Sequence, residues 1–386
     1  MKTRFALVVF SGLGLACTKP ATRGTDAPAA LEAPPEASVN SAEEPVPRDF
    51  IVQTSLCQEA TGIVLRLALD RLDSRWVYPT EHPVWLAMEP DLRALANHPA
   101  VDDGVTALQT NLSDPILRCA FAPDFPRIPQ DLEPEVQAYL QHLAAFVDDA
   151  DLRAVIRSQQ AAFDEAVARV RRSLPPPEFI DTMEKFYGMR LAEYRVVPVV
   201  LGLTGLNVGP HRRTDAGIVA YYILAPSLLE GDEGPFYGFD SAGVFETTYH
   251  EFGHSFVAEA LAGRDDEVQA LEGLLPSIAE AMEPQGYREW PTALDEHLTR
   301  AGEIQIAKLL GNEDLAADLR RRYFCERGFL YLPELEDALD VYVADPEHET
   351  FRAFIPTLFS VLQRRMQTPV PVPSERYPKC SSGAHE

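Results

Sequence analysis

His250-Glu251-Phe252-Gly253-His254 is an H-E-x-x-H segment, and its residue types and spacing suit a metal-assisted hydrolysis. On a helix, histidines four residues apart differ by about 40° around the axis, so both imidazoles face one point. That suits two ligands of a Zn2+ ion at about 2.0–2.1 Å. Glu251 is offset by about 100° from His250, so it can reach a water beside such an ion without displacing it. The flanks agree with a buried metal helix. Thr247-Thr248-Tyr249 precede the segment, and Ser255-Phe256-Val257-Ala258 follow it. No charge interrupts Phe252, Gly253 or Ser255, and an unpaired charge against a core would be costly. Phe252, Phe256, Val257, Ala260 and Leu261 supply an apolar face. The plain alternative is a pair of histidines on an ordinary helix.

Two histidines need a third protein ligand to hold catalytic zinc. The metzincin pattern would place a glycine at 257 and a histidine at 260. Those positions are Val257 and Ala260, so that class is excluded. Glu259 points about 140° away from His254 and cannot converge with it. A glutamate from a later helix remains: Glu280, Glu283, Glu289, Glu296 or Glu303. Glu296 is favoured because Arg300 lies one turn on, where it could orient the carboxylate. Glu280 stands second, and a surface i,i+4 pair is the simpler account of Glu296 with Arg300.

The elements that must position these groups are mostly helical. Val136, Tyr139, Leu140, Leu143 and Val147 follow helical spacing, as do Phe163, Ala166, Val170 and Leu174 before Pro175-Pro176-Pro177. Helix is expected through 55–175 and again from about 240 to 366. Between 193 and 226 the period changes. Arg195–Leu203 and Gly217–Leu224 are β-rich and bounded by Gly, Pro and Asn, which predicts two or three strands. The expected fold is α+β and mostly helical, with a small β-sheet and a helical N-terminal half.

The N-terminus reads as an export signal. Lys2 and Arg4 precede an apolar run from Phe5 to Ala16 that is too short to span a bilayer. Gly14-Leu15-Ala16-Cys17 resembles a bacterial lipoprotein cleavage box, with Leu13 four residues before the cysteine rather than three. The expected organisation is a signal peptide at 1–16, a Pro/Ala-rich flexible tether at 17–50 starting with lipidated Cys17, a helical region at 51–178, a catalytic region at 179–367 and a C-terminal tail at 368–386. The partner at the N-terminus is then a membrane, through the lipid anchor, on the periplasmic or outer-surface side of the envelope. Cys57, Cys119, Cys325 and Cys380 permit two disulfides in three pairings, and no CxxC supports a thiolate zinc site.

Composition excludes other classes. The chain has 386 residues, 46% hydrophobic and 24% charged, enough for a sizeable core. A formal charge of −25 disfavours nucleic acid as a partner. Arg171-Arg172 and Arg320-Arg321-Arg322 are short, acid-flanked and read as solvated helix faces.

The chain resembles an uncharacterised, widespread bacterial family of zincin-like proteins that carry HEFGHSF and a later E-x-L-x-R-A. Here these are His250–Phe256 and Glu296-His297-Leu298-Thr299-Arg300-Ala301. Further matches are Leu95–Val101, Phe186-Tyr187-Gly188, Gly328-Phe329-Leu330-Tyr331 and Phe351–Phe359, so the likeness covers roughly 52–365. One departure is Val257-Ala258-Glu259, where the family often has Asn-Pro. The resemblance implies a zincin-like metallopeptidase of the gluzincin type acting on a peptide or protein substrate. It implies Zn2+ held by His250, His254 and Glu296, with Glu251 as the proton shuttle in attack on a peptide carbonyl. Tyr331, in a matched segment, is the candidate donor to the oxyanion, with Tyr342, Tyr323 and His297 as rivals. In zincins a strand before the metal helix pairs with extended substrate; 217–225 or 199–207 could serve here, with Gly205, Asn207 and Gly209 permitting close approach. Two other functions compete: a metal hydrolase acting on a non-peptide amide such as a cell-wall amide, and a non-catalytic envelope binding lipoprotein on the same scaffold.

Overall fold

A computed structural model describes residues 49–72, 83–110, 113–120, 122–130, 132–231, 234–239, 241–345, 350–367, 377 and 380. The signal segment, Cys17 and nearly all of the tether therefore lie outside the described residues, as does most of the C-terminal tail.

A short strand β1 (Ile51–Val52) leads into helices α1 (Leu56–Leu69), α2 (Pro83–Leu92), α3 (Pro99–Gln109), α4 (Ser113–Ala120), α5 (Pro134–Asp149), α6 (Leu152–Ser158), α7 (Gln160–Ser173) and α8 (Glu178–Tyr187). The apolar periodicity read at 136–147 and 163–170 is buried in α5 and α7, and the proline run follows the end of α7. Gly188, at φ 62°, takes the left-handed position that closes α8 and turns the chain into the sheet. Strands β2 (Glu193–Pro198), β3 (Asn207–Val208), β4 (His211–Thr214), β5 (Gly217–Leu224) and a separate hairpin, β6 (Ser227–Gly231) and β7 (Gly234–Gly238), follow. The rest is helical: α9 (Ser241–Leu261), α10 (Asp265–Gln269), α11 (Ala279–Met282), α12 (Trp290–Leu309), α13 (Glu313–Arg320), α14 (Leu332–Ala344) and α15 (Phe351–Gln367). The fold is mostly helical α+β with one small mixed sheet.

In that sheet β1, β2 and β5 run parallel, and β3 and β4 pair antiparallel with β5. Four strands thus lie between 193 and 226 rather than two or three. β3 and β4 are short and polar (Asn207, His211, Arg212, Arg213, Thr214), so hydrophobic alternation could not announce them. Tyr194 and Tyr222 pack edge-on to Phe252 of α9, at ring separations of 5.2 and 6.3 Å. The alternate residues Arg195, Val197, Tyr221 and Ile223 therefore face the opposite side, in register as Arg195↔Tyr221 and Val197↔Ile223.

The helical half is not separate from the sheet. β1 pairs with β2, and buried Glu59 of α1 accepts hydrogen bonds from the N–H groups of Val200 and Leu201, both at 2.9 Å. Two disulfides select one of the three pairings: Cys57–Cys119 ties α1 to α4, and Cys325–Cys380 holds the C-terminal tail. The Tyr377 hydroxyl adds a bond of 2.8 Å to buried Glu336.

Candidate metal centre

α9 and α12 pack against each other, and both are buried along most of their length. Gly253 permits the contact, because a Cβ there would lie 2.9 Å from the Thr299 side chain. The α9 side contributes His250, Glu251 and His254; the α12 side contributes Asp295, Glu296, Arg300 and Glu303.

Each histidine is held by its own carboxylate. His250 Nδ1 lies 2.6 Å from Glu303 Oε1, and His254 Nδ1 lies 2.5 Å from Asp295 Oδ1. An ionised carboxylate only accepts, so each Nδ1 donates, and each Nε2 is left with a lone pair. Those two Nε2 atoms face each other at 3.1 Å. Lone pairs that close repel unless a proton or a cation sits between them. Glu296 completes the group, with carboxylate oxygens 3.5 Å from His250 Nε2 and 3.7 Å from His254 Nε2. Donors about 2.0–2.1 Å from one ion at tetrahedral angles lie about 3.3–3.4 Å apart, and these three separations bracket that value. Among the described residues, His250, His254 and Glu296 are the group placed to share one ion.

Partners continue outward. Arg300, fully buried, donates to Glu296 Oε2, and its guanidinium lies 4.3 Å above the Phe329 ring and 4.9 Å from the Tyr323 ring. The Tyr323 hydroxyl donates to Glu303 Oε2 at 2.6 Å. Glu296 Oε1 and both oxygens of Glu251 are buried with no hydrogen-bond partner among the described residues. Such orphaned oxygens fit a site for a cation and its water. Around them, four carboxyl groups (Glu251, Asp295, Glu296, Glu303) meet two guanidinium groups (Arg300, Arg327), so a doubly charged cation would bring the cluster to neutrality.

Without such a cation the cluster takes up protons. Burial pushes the Glu251 carboxyl up to about 8 and Glu303 up to about 7. For His254 burial disfavours charge, but Asp295 and Glu296 outweigh it and raise the imidazole to about 9. Burial, with Arg300 beside it, holds His250 well below the usual imidazole range.

The chain belongs to the DUF4932 family. Residues 91–361 match this domain of unknown function, and that span contains every residue of the metal group and its partners. No curated protein and no solved structure matches the chain.

The DUF4932 domain does not bring every expected residue to the centre. Tyr331 is displaced as the oxyanion donor: its buried hydroxyl donates to the Leu274 carbonyl at 2.7 Å. Tyr342 is likewise bonded to the Phe186 carbonyl at 2.6 Å, and Tyr323 is engaged with Glu303. His297 points away from the pair; its Nδ1 bonds the Ala293 carbonyl, and burial lowers it to about 4. Glu303 proves to be the partner of His250. Glu280 lies on α11 and Glu283 in the turn after it, outside the ion-sharing group. Glu259 points elsewhere, to His211 and Arg213 of β4.

Neither proposed substrate strand is free as expected. β5 is paired on both sides, and 199–207 holds strand only at its last residue. Gly209 does make a close approach, but to α9: a Cβ there would lie 2.1 Å from the Glu251 carbonyl oxygen. That contact sets the β3–β4 turn against α9, and His211 and Arg213 of β4 reach Glu259 of the same helix; the outer edges of β4 and of β1 are unpaired among the described residues. Asp295 and Glu303 were missed as histidine partners. The charged stripe Glu296, Arg300, Glu303 marks Glu303 as facing the site, but nothing in the sequence pairs it or Asp295 with a histidine.

Proposed function

We propose that this protein is a zinc-dependent hydrolase of the gluzincin type, a metallopeptidase acting at the cell envelope, with a zincin-like arrangement of sheet and metal helix. The observation that carries the reading is the Glu251 carboxylate: fully buried, without a hydrogen-bond partner among the described residues, and one residue from His250. A purely structural metal has no use for it.

His250, His254 and Glu296 would hold the ion. Their nitrogen and oxygen donors suit zinc, and the carboxylates behind both imidazoles are the usual supports of metal-bound histidines. When bound, zinc supplies Lewis-acid polarisation of a carbonyl and acidification of water. Asp295 and Glu303 fix the imidazole tautomers. Arg300 orients Glu296 and offsets its charge. Glu251 accepts a proton from the attacking water and returns it to the leaving amine. Among the three ligands His254 is the most exposed, at 9%, so substrate approaches from its side, where β4 borders α9. An extended peptide could add to the outer edge of β4 through main-chain bonds. The paired cysteines support export, since disulfides persist in oxidising compartments. A lipid anchor at Cys17 would then set the protein at the membrane surface.

The test is elemental analysis of purified protein together with hydrolysis of a peptide panel and of peptidoglycan. The expected result is near one zinc per chain and peptide cleavage that Glu251→Gln removes while the zinc stays. Cleavage of peptidoglycan alone would move the substrate to a cell-wall amide. Protein without zinc, or equal activity in the Glu251→Gln variant, would overturn the reading.

A further inference from the structure

On the sheet face turned away from α9 lies a second polar cavity, with about 120 Å³ of room for small-molecule atoms. That is of the order of the 150 Å³ cavity known to hold benzene. Arg195 and Tyr221, directly opposite on β2 and β5, form its floor. The first turn of α1, from Ser55 to Gln58, and the Cys57–Cys119 disulfide close it. The Tyr221 hydroxyl and Gln58 Oε1 belong to residues 5% and 3% exposed, and both atoms lack a hydrogen-bond partner among the described residues. Gln58 is held in place by its other amide atom, which donates to the Ile116 carbonyl at 2.9 Å.

Buried polar atoms left unpaired are costly, and two on residues that line one cavity mark a place that a ligand satisfies. The signs of the surrounding charge say what kind. The N-terminal turn of a helix carries partial positive charge and points amides outward. The Arg195 guanidinium adds N–H donors at the floor, its charge shared with Glu193 at 2.7 Å. The Tyr221 hydroxyl can donate to an oxyanion, whereas Gln58 Oε1 can only accept.

We infer that this cavity is a binding site for a small oxyanion that also carries a hydrogen-bond donor, a hydroxy- or amino-carboxylate or a protonated phosphate. The anion faces Arg195, Tyr221 and the start of α1, and its donor meets Gln58. The site is separate from the metal centre, because the β2–β5 sheet lies between them. It joins α1, α4 and the sheet, so occupancy would brace the helical half against the metal-bearing half.

The test uses the whole protein, titrated calorimetrically with inorganic phosphate, glycolate and glycine. At least one should bind saturably. Tyr221→Phe, which removes only the hydroxyl, should weaken that binding about tenfold, and Arg195→Gln by more. Glu251→Gln should leave it unchanged. The panel separates phosphate from carboxylate sources. Absence of saturable binding by every probe, binding unaffected by Tyr221→Phe, or binding lost on removal of metal would overturn the inference. Should Arg195→Gln fail to fold, Tyr221→Phe alone decides.

Discussion

His250 and Glu303 stand 2.6 Å apart across the α9–α12 contact, and this one bond sets which nitrogen of the imidazole faces Glu296. The carboxylate fixes the proton on Nδ1 and so turns the Nε2 lone pair inward. Asp295 does the same for His254. Replacing Glu303 by Gln or Asp295 by Asn should weaken zinc affinity about 10–100-fold while the fold remains. Competition with a fluorescent chelator measures it. Unchanged affinity in both variants would show that the two bonds are incidental to metal binding.

In the proposed hydrolase Glu251 has a different task, that of the general base. Loss of a general base lowers rate by about 10²–10⁴-fold, so Glu251→Gln should drop kcat within that range with zinc content intact. His250→Ala should lose metal and activity together. The split between the two variants is the decisive reading, obtained from kinetics and elemental analysis on the same preparations.

The paired histidines and Glu251 were legible because metal chemistry needs them four residues apart on one helix, and the helix itself was legible from its apolar face. Glu296 was legible through Arg300, whose spacing places it one turn away. The bond from Arg300 to Glu296 is indeed present. The partners of the histidines were not legible, since contact between α9 and α12 is set by tertiary packing through Gly253 and Thr299. Tyr331 misled because a tyrosine near a matched motif says nothing of its hydroxyl, which here is bound to a backbone carbonyl. β4 escaped because a polar edge strand has no alternation to read. Cysteine pairing likewise required proximity: Cys57 and Cys119 are 62 residues apart in sequence.

Arg300 offers a stability prediction independent of activity. It and Glu296 are each 1% exposed at the side chain. Removing one member of a buried pair leaves an uncompensated charge and destabilises by about 3–5 kcal/mol. Arg300→Met should lower metal-free stability by about that amount in urea titrations. Added zinc should restore part of the loss, because it compensates the same carboxylate. An effect under 1 kcal/mol would mean that Glu296 is already protonated in the metal-free protein.

The Cys57–Cys119 bridge closes a loop of 62 residues, for which chain entropy predicts about 4 kcal/mol of stabilisation. Replacing both cysteines by serine should lower stability by up to that amount. The oxyanion cavity should also lose affinity, since the bridge forms one of its walls. Denaturant midpoints and phosphate titration of the same variant read the two effects separately.

Glu59 predicts a pH dependence away from the metal. Burial raises its carboxyl to about 8, against the ordinary value of 4.5, while the N–H groups of Val200 and Leu201 favour the charged form. Between those two values the native state holds a proton that the unfolded chain has released. Stability contributed by Glu59 is therefore full below about pH 4.5 and is lost as pH rises through 8. Glu59→Gln cannot titrate, so the stability difference between wild type and variant should shrink or change sign against the wild type across pH 5 to 8, by on the order of a few kcal/mol. Urea midpoints at several pH values measure it. A difference that grows in favour of the wild type over that range would show that the two backbone bonds outweigh burial and keep Glu59 ionised in the native state.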